Sequence, residues 1–270
     1  MNSTLPTKQY TFSGAKVDEE WQRLDTQYDG ITGYLGDRLT LAPLESPARI
    51  LELGAGSGRW AASAAEEFPK AEVLAVDMTE LPPREFPPNV CFQQLDVLKD
   101  FPWKDPFDVI HMRLLLYHLP HPAELIKRLI PLIKPGGWLL IEDCCLMRFK
   151  GELGSACKKR NDIMRSYMAS KDRDPEIGAH LEGILKSIGA FDIVKTHKVS
   201  LSLNPLPEDS STRLFAETMR NSIMRASRSL SDELVQAGIT HELQSAWEEE
   251  MSDSRYEPIH DFFFVWAQKH

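Results

Sequence analysis

Residues 48–58 read Ala-Arg-Ile-Leu-Glu-Leu-Gly-Ala-Gly-Ser-Gly, and nowhere else in the chain do residue types and spacing suit ligand chemistry so well. Gly54, Gly56 and Gly58 separate an apolar run, Ile50 to Leu53, from an alanine-rich stretch, Arg59 to Ala65. The first pattern fits a buried strand and the second a helix. Glycines let the backbone bend sharply and approach a ligand closely. The start of a helix offers N–H groups that lack partners of their own. A strand, a glycine turn and a helix in this order predict a nucleotide-type binding site.

The acids around the turn narrow the ligand. A dinucleotide pattern, G-x-G-x-x-G, sets a pyrophosphate on the helix start. Here the third glycine comes one residue early and position 59 is Arg. Glu52, just ahead of Gly54, would repel a pyrophosphate. That carboxylate suits a ligand with an ammonium group and no phosphate. S-adenosylmethionine (SAM) is such a ligand, with an amino-acid end, a sulfonium and an adenosine. A second strand pattern, Ala71 to Asp77, ends in an acid that can accept both ribose hydroxyls. A third, Val90 to Leu95, ends at Asp96-Val97. Asp96 is expected to accept from the adenine amino group, with Val97 packed on the ring.

The elements that must position these residues follow a regular order. Residues 48–147 alternate strand and helix patterns, which predicts an α/β, Rossmann-like sheet, mostly parallel, with helices on both faces. Residues 17–42 carry a helical pattern that precedes the first strand and can cover the ligand. Further helical patterns fall at Cys157 to Met168, Pro175 to Ile188, 212–236 and 240–252, and strand patterns at Phe191 to Leu203 and His260 to Ala267. Three regions result: an N-terminal helical lid over 1–47, a SAM-binding core over 48–147, and a remainder over 148–270 that completes the sheet and supplies a helical cap. Ligands sit at the carboxyl edge of such sheets, so the cap is expected there.

Composition excludes several classes. The net charge is −9 and the chain has no basic stripe, so no nucleic-acid partner is expected. No apolar run approaches a membrane span, and the first residues lack the apolar core of a secretory signal. Cys91, Cys144, Cys145 and Cys157 lack zinc spacing. They read as reduced thiols of a cytoplasmic protein, with no metal site.

The chain resembles the class I SAM-dependent methyltransferases, in the fungal branch that holds LaeA-type proteins and secondary-metabolism methyltransferases. The resemblance rests on Glu20-x-x-Arg23-Leu24-x-x-Gln27, on the run Leu51 to Ala61 around the glycines, and on Phe68 to Asp77. It continues through Pro87 to Val90, Phe107 to Arg113, Ile133-Lys134-Pro135-Gly136-Gly137-Trp138, and Phe262 to Lys269. It implies a seven-stranded sheet and SAM as cofactor, with Tyr10 and Gln27 on a lid over it. Met78, Met112 and Arg113 join Glu52, Gly54, Gly56, Asp77, Asp96 and Val97 on the cofactor side. One departure is Tyr117-His118-Leu119-Pro120, which is closer to small-molecule methyltransferases than to the LaeA type.

A sulfonium makes its methyl carbon electrophilic without help, so positioning and exclusion of water carry much of the rate. A base is needed only where the acceptor keeps its proton. His118, beyond the fourth strand, and Glu142 and Asp143, at the end of the fifth, are the candidate catalytic residues. Each also has a plain alternative as a packing or capping group. His111, inside the fourth strand, reads as a core histidine. Met164, Met168, Met219 and Met224 can line an apolar pocket or fill the core. The expected reaction is methyl transfer to oxygen, or to nitrogen, of a small, largely apolar metabolite. A LaeA-type regulator with a protein partner, and a SAM-binding protein that transfers no methyl, remain as alternatives.

Overall fold

The apolar segments between residues 49 and 144 each become a strand, and the intervening amphipathic segments become helices that cover them. The computed structural model describes residues 17–270. In order these form α1 (Val17–Tyr34), β1 (Arg49–Leu53), α2 (Arg59–Glu67), β2 (Glu72–Asp77), β3 (Val90–Gln94), β4 (Phe107–Arg113), α3 (Pro122–Leu129) and β5 (Ile133–Cys144). Then follow β6 (Arg148–Lys150), α4 (Ser155–Ser170), α5 (Ile177–Ile188), β7 (Phe191–Ser202), α6 (Ser210–Arg228), α7 (Asp232–Gln236), α8 (His241–Ser252) and β8 (Glu257–Lys269).

The sheet runs β3-β2-β1-β4-β5-β8, with β7 on the far side of β8. The five strands from β3 to β5 pair in parallel. β8 then runs antiparallel between β5 and β7. An eighth strand, β6, joins the expected seven. It pairs Arg148 with Ile259 on the same edge of β8 that pairs Cys144 with Phe262. β6 therefore extends β5 past a break at residues 145–147, and is too short to show in a hydrophobic pattern. The helical pattern over 212–236 also divides. The Ser231 side chain accepts from Leu234 N–H and starts α7 as a new helix.

Alternation along each strand feeds two cores. Cys144 packs with Phe215, Trp247, Phe262 and Phe264 on one face. Cys145 packs with Leu181, Leu185 and Phe263 on the other. All four cysteines are free thiols. α1 lies on α6, where Gly30 leaves room for Thr218: a Cβ there would stand 1.8 Å from the Thr218 hydroxyl. Arg23 and Gln27 of α1 both hydrogen-bond to Ser222 of α6, Gln27 at 3.2 Å.

Candidate active site

A single cavity opens at the carboxyl ends of β1, β2, β4 and β5, between the sheet and the helices α1, α4, α6, α7 and α8. Its floor is the glycine turn. Gly54, Gly56 and Gly58 have φ of +72°, +56° and +73°, in the left-handed region that side chains resist. Gly54 and Ala55 N–H donate to Val76 O at 2.8 and 3.0 Å. Gly56 N–H donates to Asp77 Oδ2 at 2.8 Å. The other oxygen, Oδ1, accepts from the Thr79 N–H and hydroxyl, each at 2.9 Å. Asp77 thus fixes the turn while facing the cavity.

Of the residues singled out in the sequence, Gln27, Glu52, Gly54, Gly56, Asp77, Met78, Val97, Arg113 and His118 line this cavity together. So do Met164, Met168 and Met219, whereas Met224 packs at the edge of the core. Tyr10 lies outside the described residues.

Four expectations need correction, each for a local reason. Asp96 turns back on its own loop, where Oδ1 accepts from Leu98 N–H at 3.0 Å, while Leu95, Val97 and Leu98 line the cavity. Met112 is fully buried on the opposite face of β4 from His111 and Arg113, among Leu125, Ile126 and Leu129. Glu142 is buried and accepts from Arg113 Nε at 2.5 Å. Asp143 is buried and accepts from the Leu116, Tyr117 and Cys144 N–H groups at 2.9, 3.3 and 2.9 Å. Burial pushes its carboxyl up to about 7 against the pull of those amides. Neither Glu142 nor Asp143 is part of the cavity wall, and both hold the segment after β4 against β5.

Behind the wall runs a chain of buried charge. His111 stacks on Trp60 with ring centroids 3.7 Å apart. Its Nδ1 lies 3.6 Å from Glu52 Oε1 and its Nε2 lies 3.8 Å from Glu142 Oε1. Burial alone would raise the Glu142 carboxyl, but the Arg113 guanidinium and His111 outweigh it and hold the group below its ordinary range. His111 is the core histidine that its place in the strand predicted. His118 differs: it sits on the wall, and burial together with the charges of Arg173 and Arg23 pushes its imidazole down to about 3. A group so depressed is neutral and a weak base.

The cap adds residues for which the sequence carried no local signal. Arg160 of α4, Trp247 of α8 and His260 of β8 all line the cavity. Their positions span a hundred residues and only the tertiary fold brings them to one compartment.

The family described as "Methyltransferase domain" matches residues 18–172. The chain belongs to the methyltransferase domain family. "Methyltransferase str3" of Strobilurus tenacellus is 41% identical over 224 residues, covering 82% of this chain and 81% of that protein. "Secondary metabolism regulator LAE1" of Cochliobolus heterostrophus is 32% identical over 132 residues, covering 45% of this chain and 42% of that protein. The solved Haemonchus contortus phosphoethanolamine N-methyltransferase 2, in complex with phosphomonomethylethanolamine and S-adenosylhomocysteine (SAH), aligns with a TM-score of 0.57 at 18% identity. That alignment covers 97% of this chain and 58% of that one, and at this identity it shows the fold alone.

This methyltransferase is SAM-dependent. Its residues fit the cofactor. Glu52 Oε2 and Arg113 Nη2 are buried with no hydrogen-bond partner among the described residues, and both side chains line the cavity. One can accept and the other can donate, which is what an ammonium and a carboxylate on one ligand require. Among the described residues no helix is long and apolar enough to cross a membrane.

Proposed function

We propose that this methyltransferase acts on an oxygen of a small, largely apolar metabolite. The carrying observation is the continuity of the cavity. It begins at the glycine turn and passes His118 into a compartment walled by Met164, Met168, Met219, Leu230 and Leu234. Apolar walls with a few fixed polar groups suit a small organic molecule. The extent of likeness points the same way, since the str3 match covers 82% of the chain and the LAE1 match 45%.

When bound, SAM supplies an electrophilic methyl group. In this reading Glu52 accepts from its ammonium, Arg113 donates to its carboxylate, and Asp77 accepts from the ribose diol while bracing Gly56. Val97 and Met78 enclose the adenosine. Gln27 and Leu24 of α1 roof the glycine turn and exclude water. Holding the acceptor oxygen in line is worth about 7–11 kcal/mol in favourable cases. His118 is too weak a base to draw a proton from an alcohol. An acceptor that is acidic by itself, an enol, a phenol or a carboxyl group, fits a wall with so weak a base.

The test is to incubate the purified protein with methyl-labelled SAM and a fungal metabolite extract. Label in a product heavier by one CH₂ unit, lost on mild ester or ether cleavage, supports the reading. Label on nitrogen, label in protein alone, or no labelled product overturns it.

Asp77 offers a direct probe of the cofactor half. Asp77→Ala removes both a charge-assisted acceptor and the brace on Gly56 N–H. SAH affinity should fall by about 1.5–3 kcal/mol, with the fold retained by circular dichroism. Calorimetry that finds wild-type affinity would remove Asp77 from the cofactor site.

A further inference from the structure

The cap half of the cavity carries polar groups that the protein itself does not use. Arg160 is partly buried, and its guanidinium lies 4.3 Å above the centre of the Trp247 ring. Only its Nε has a recorded hydrogen bond, to Gln244 Oε1 at 3.3 Å. Among the described residues no carboxylate forms an ion pair with it. The nearest acid by charge, Glu248, is paired with Arg228 at 3.3 Å and accepts from Gln244 at 3.1 Å. Arg160 lines the cavity, and among the described residues its terminal nitrogens make no hydrogen bond or ion pair.

Two neighbours share this condition. Trp247 Nε1 is buried with no acceptor, and both ring nitrogens of His260 are buried with no partner. His260 lies on the same face of β8 as Phe262, whose cluster contains Trp247. Buried polar atoms left without partners are rare in a native fold and destabilise it. Two such groups, lining the same cavity as a guanidinium that no carboxylate pairs among the described residues, mark a place for a ligand.

The charge of the wall sets the sign of that ligand. Among the described lining residues the only acids are Glu52 and Asp77, both at the glycine turn. The cap half offers Arg160 and Arg173 and no carboxylate. An amine entering there would meet two cations and no carboxylate among the described lining residues. The set of donors sets the class. One planar guanidinium fork matches a carboxylate in a bidentate pair, and the indole N–H adds a third donor. A phosphate would bring a second charge and more lone pairs than these groups can satisfy between methionine and leucine side chains. Burial pushes the His260 imidazole down to about 4, opposed by Asp261, so it stays neutral and presents one donor and one acceptor.

We propose that the Arg160 guanidinium, the Trp247 indole N–H and the His260 imidazole form the acceptor-binding locus, and that the acceptor is an apolar molecule bearing a carboxylate. The proposal rests on the functional reading for the word acceptor alone, because binding of the carboxylate does not require turnover.

The test uses the full chain loaded with SAH and two isosteric probes, 3-phenylpropanoate and 3-phenylpropanamide, by calorimetry. The carboxylate is expected to bind at least about tenfold more tightly than the amide. Arg160→Met should bring the two within about threefold of each other while leaving SAH affinity in place. Arg160→Lys, which keeps the charge and loses the fork, should fall between. If Arg160→Met does not fold, Arg160→Lys and Trp247→Phe carry the comparison, and each should reduce the preference. Absence of carboxylate binding, equal binding of the two probes, or a full preference in the variants overturns the proposal. Carboxylate binding that depends on Arg160, with no methyl transfer to any acceptor, would instead sink the functional reading and leave this locus standing. Methyl transfer to neutral acceptors with no carboxylate preference would do the reverse.

Discussion

Arg113→Met should lower the stability of the fold by about 3–5 kcal/mol, the usual result of stranding a buried partner charge. Arg113 Nε reaches Glu142 Oε2 at 2.5 Å, and both side chains are at least nearly buried. Without the guanidinium, Glu142 faces only His111, 3.8 Å away, inside the sheet. The pH dependence identifies the cause. In the wild type the Glu142 carboxyl is held below its unfolded value, so its contribution is fully present above the ordinary carboxylate range. That contribution is lost as pH falls through the depressed folded value. In the variant, burial is opposed by His111 without the guanidinium and the carboxyl rises, so the variant suffers most near neutrality. Urea unfolding of the two proteins should show a gap that narrows with acidification. A gap that is constant with pH would mean that Arg113 contributes packing and not charge.

Gly56→Val should weaken SAH binding by at least about 100-fold, or about 2.7 kcal/mol. At φ +56° a β-branched residue is strained. Its Cβ would also stand 3.0 Å from Leu24 Cδ1, on the helix that roofs the turn. The leucine tip can give way, but relief of the φ strain requires the turn to shift, and that weakens the bond from Gly56 N–H to Asp77. Gly183→Ala serves as control, since nothing lies within 4 Å of a Cβ there. Equilibrium dialysis showing wild-type affinity in the valine variant would make the glycine turn a structural feature with no ligand against it.

Local patterns made the cofactor half legible. Glu52, Gly54, Gly56 and Asp77 fall at strand ends whose apolar runs are visible in the sequence, and the same spacing gave the order from β1 to β5. The failures lie where direction matters more than position. Met112 and Arg113 are adjacent, yet alternation sends one into the core and the other to the cavity. Glu142 and Asp143 end a strand beside the site, but each has partners closer than any ligand: a guanidinium for one, backbone amides for the other. Asp96 closes a turn with its own Leu98 N–H, as short acidic side chains do. The cap wall of the cavity was not legible at all. Arg160 sits in a basic run, Lys158-Lys159-Arg160, that reads as a solvated face, and Trp247 and His260 lie on other elements. Nothing in one dimension announces that these three meet.

The position of β8 bears on how the protein can be made. Residues 257–269 occupy the interior of the sheet, between residues 138–144 on one side and 191–202 on the other. Among the described residues β7 pairs with nothing else. While a ribosome is still translating residues 203–256, β5 shows an open edge and β7 has no sheet to join. Exposed edges of this kind invite pairing with other chains. The glycine turn and its strands are complete by residue 113, but the wall that carries His260 arrives only with β8. A nascent chain can therefore complete its glycine turn well before the wall that carries His260, and in that interval its open edges are most exposed to wrong pairing.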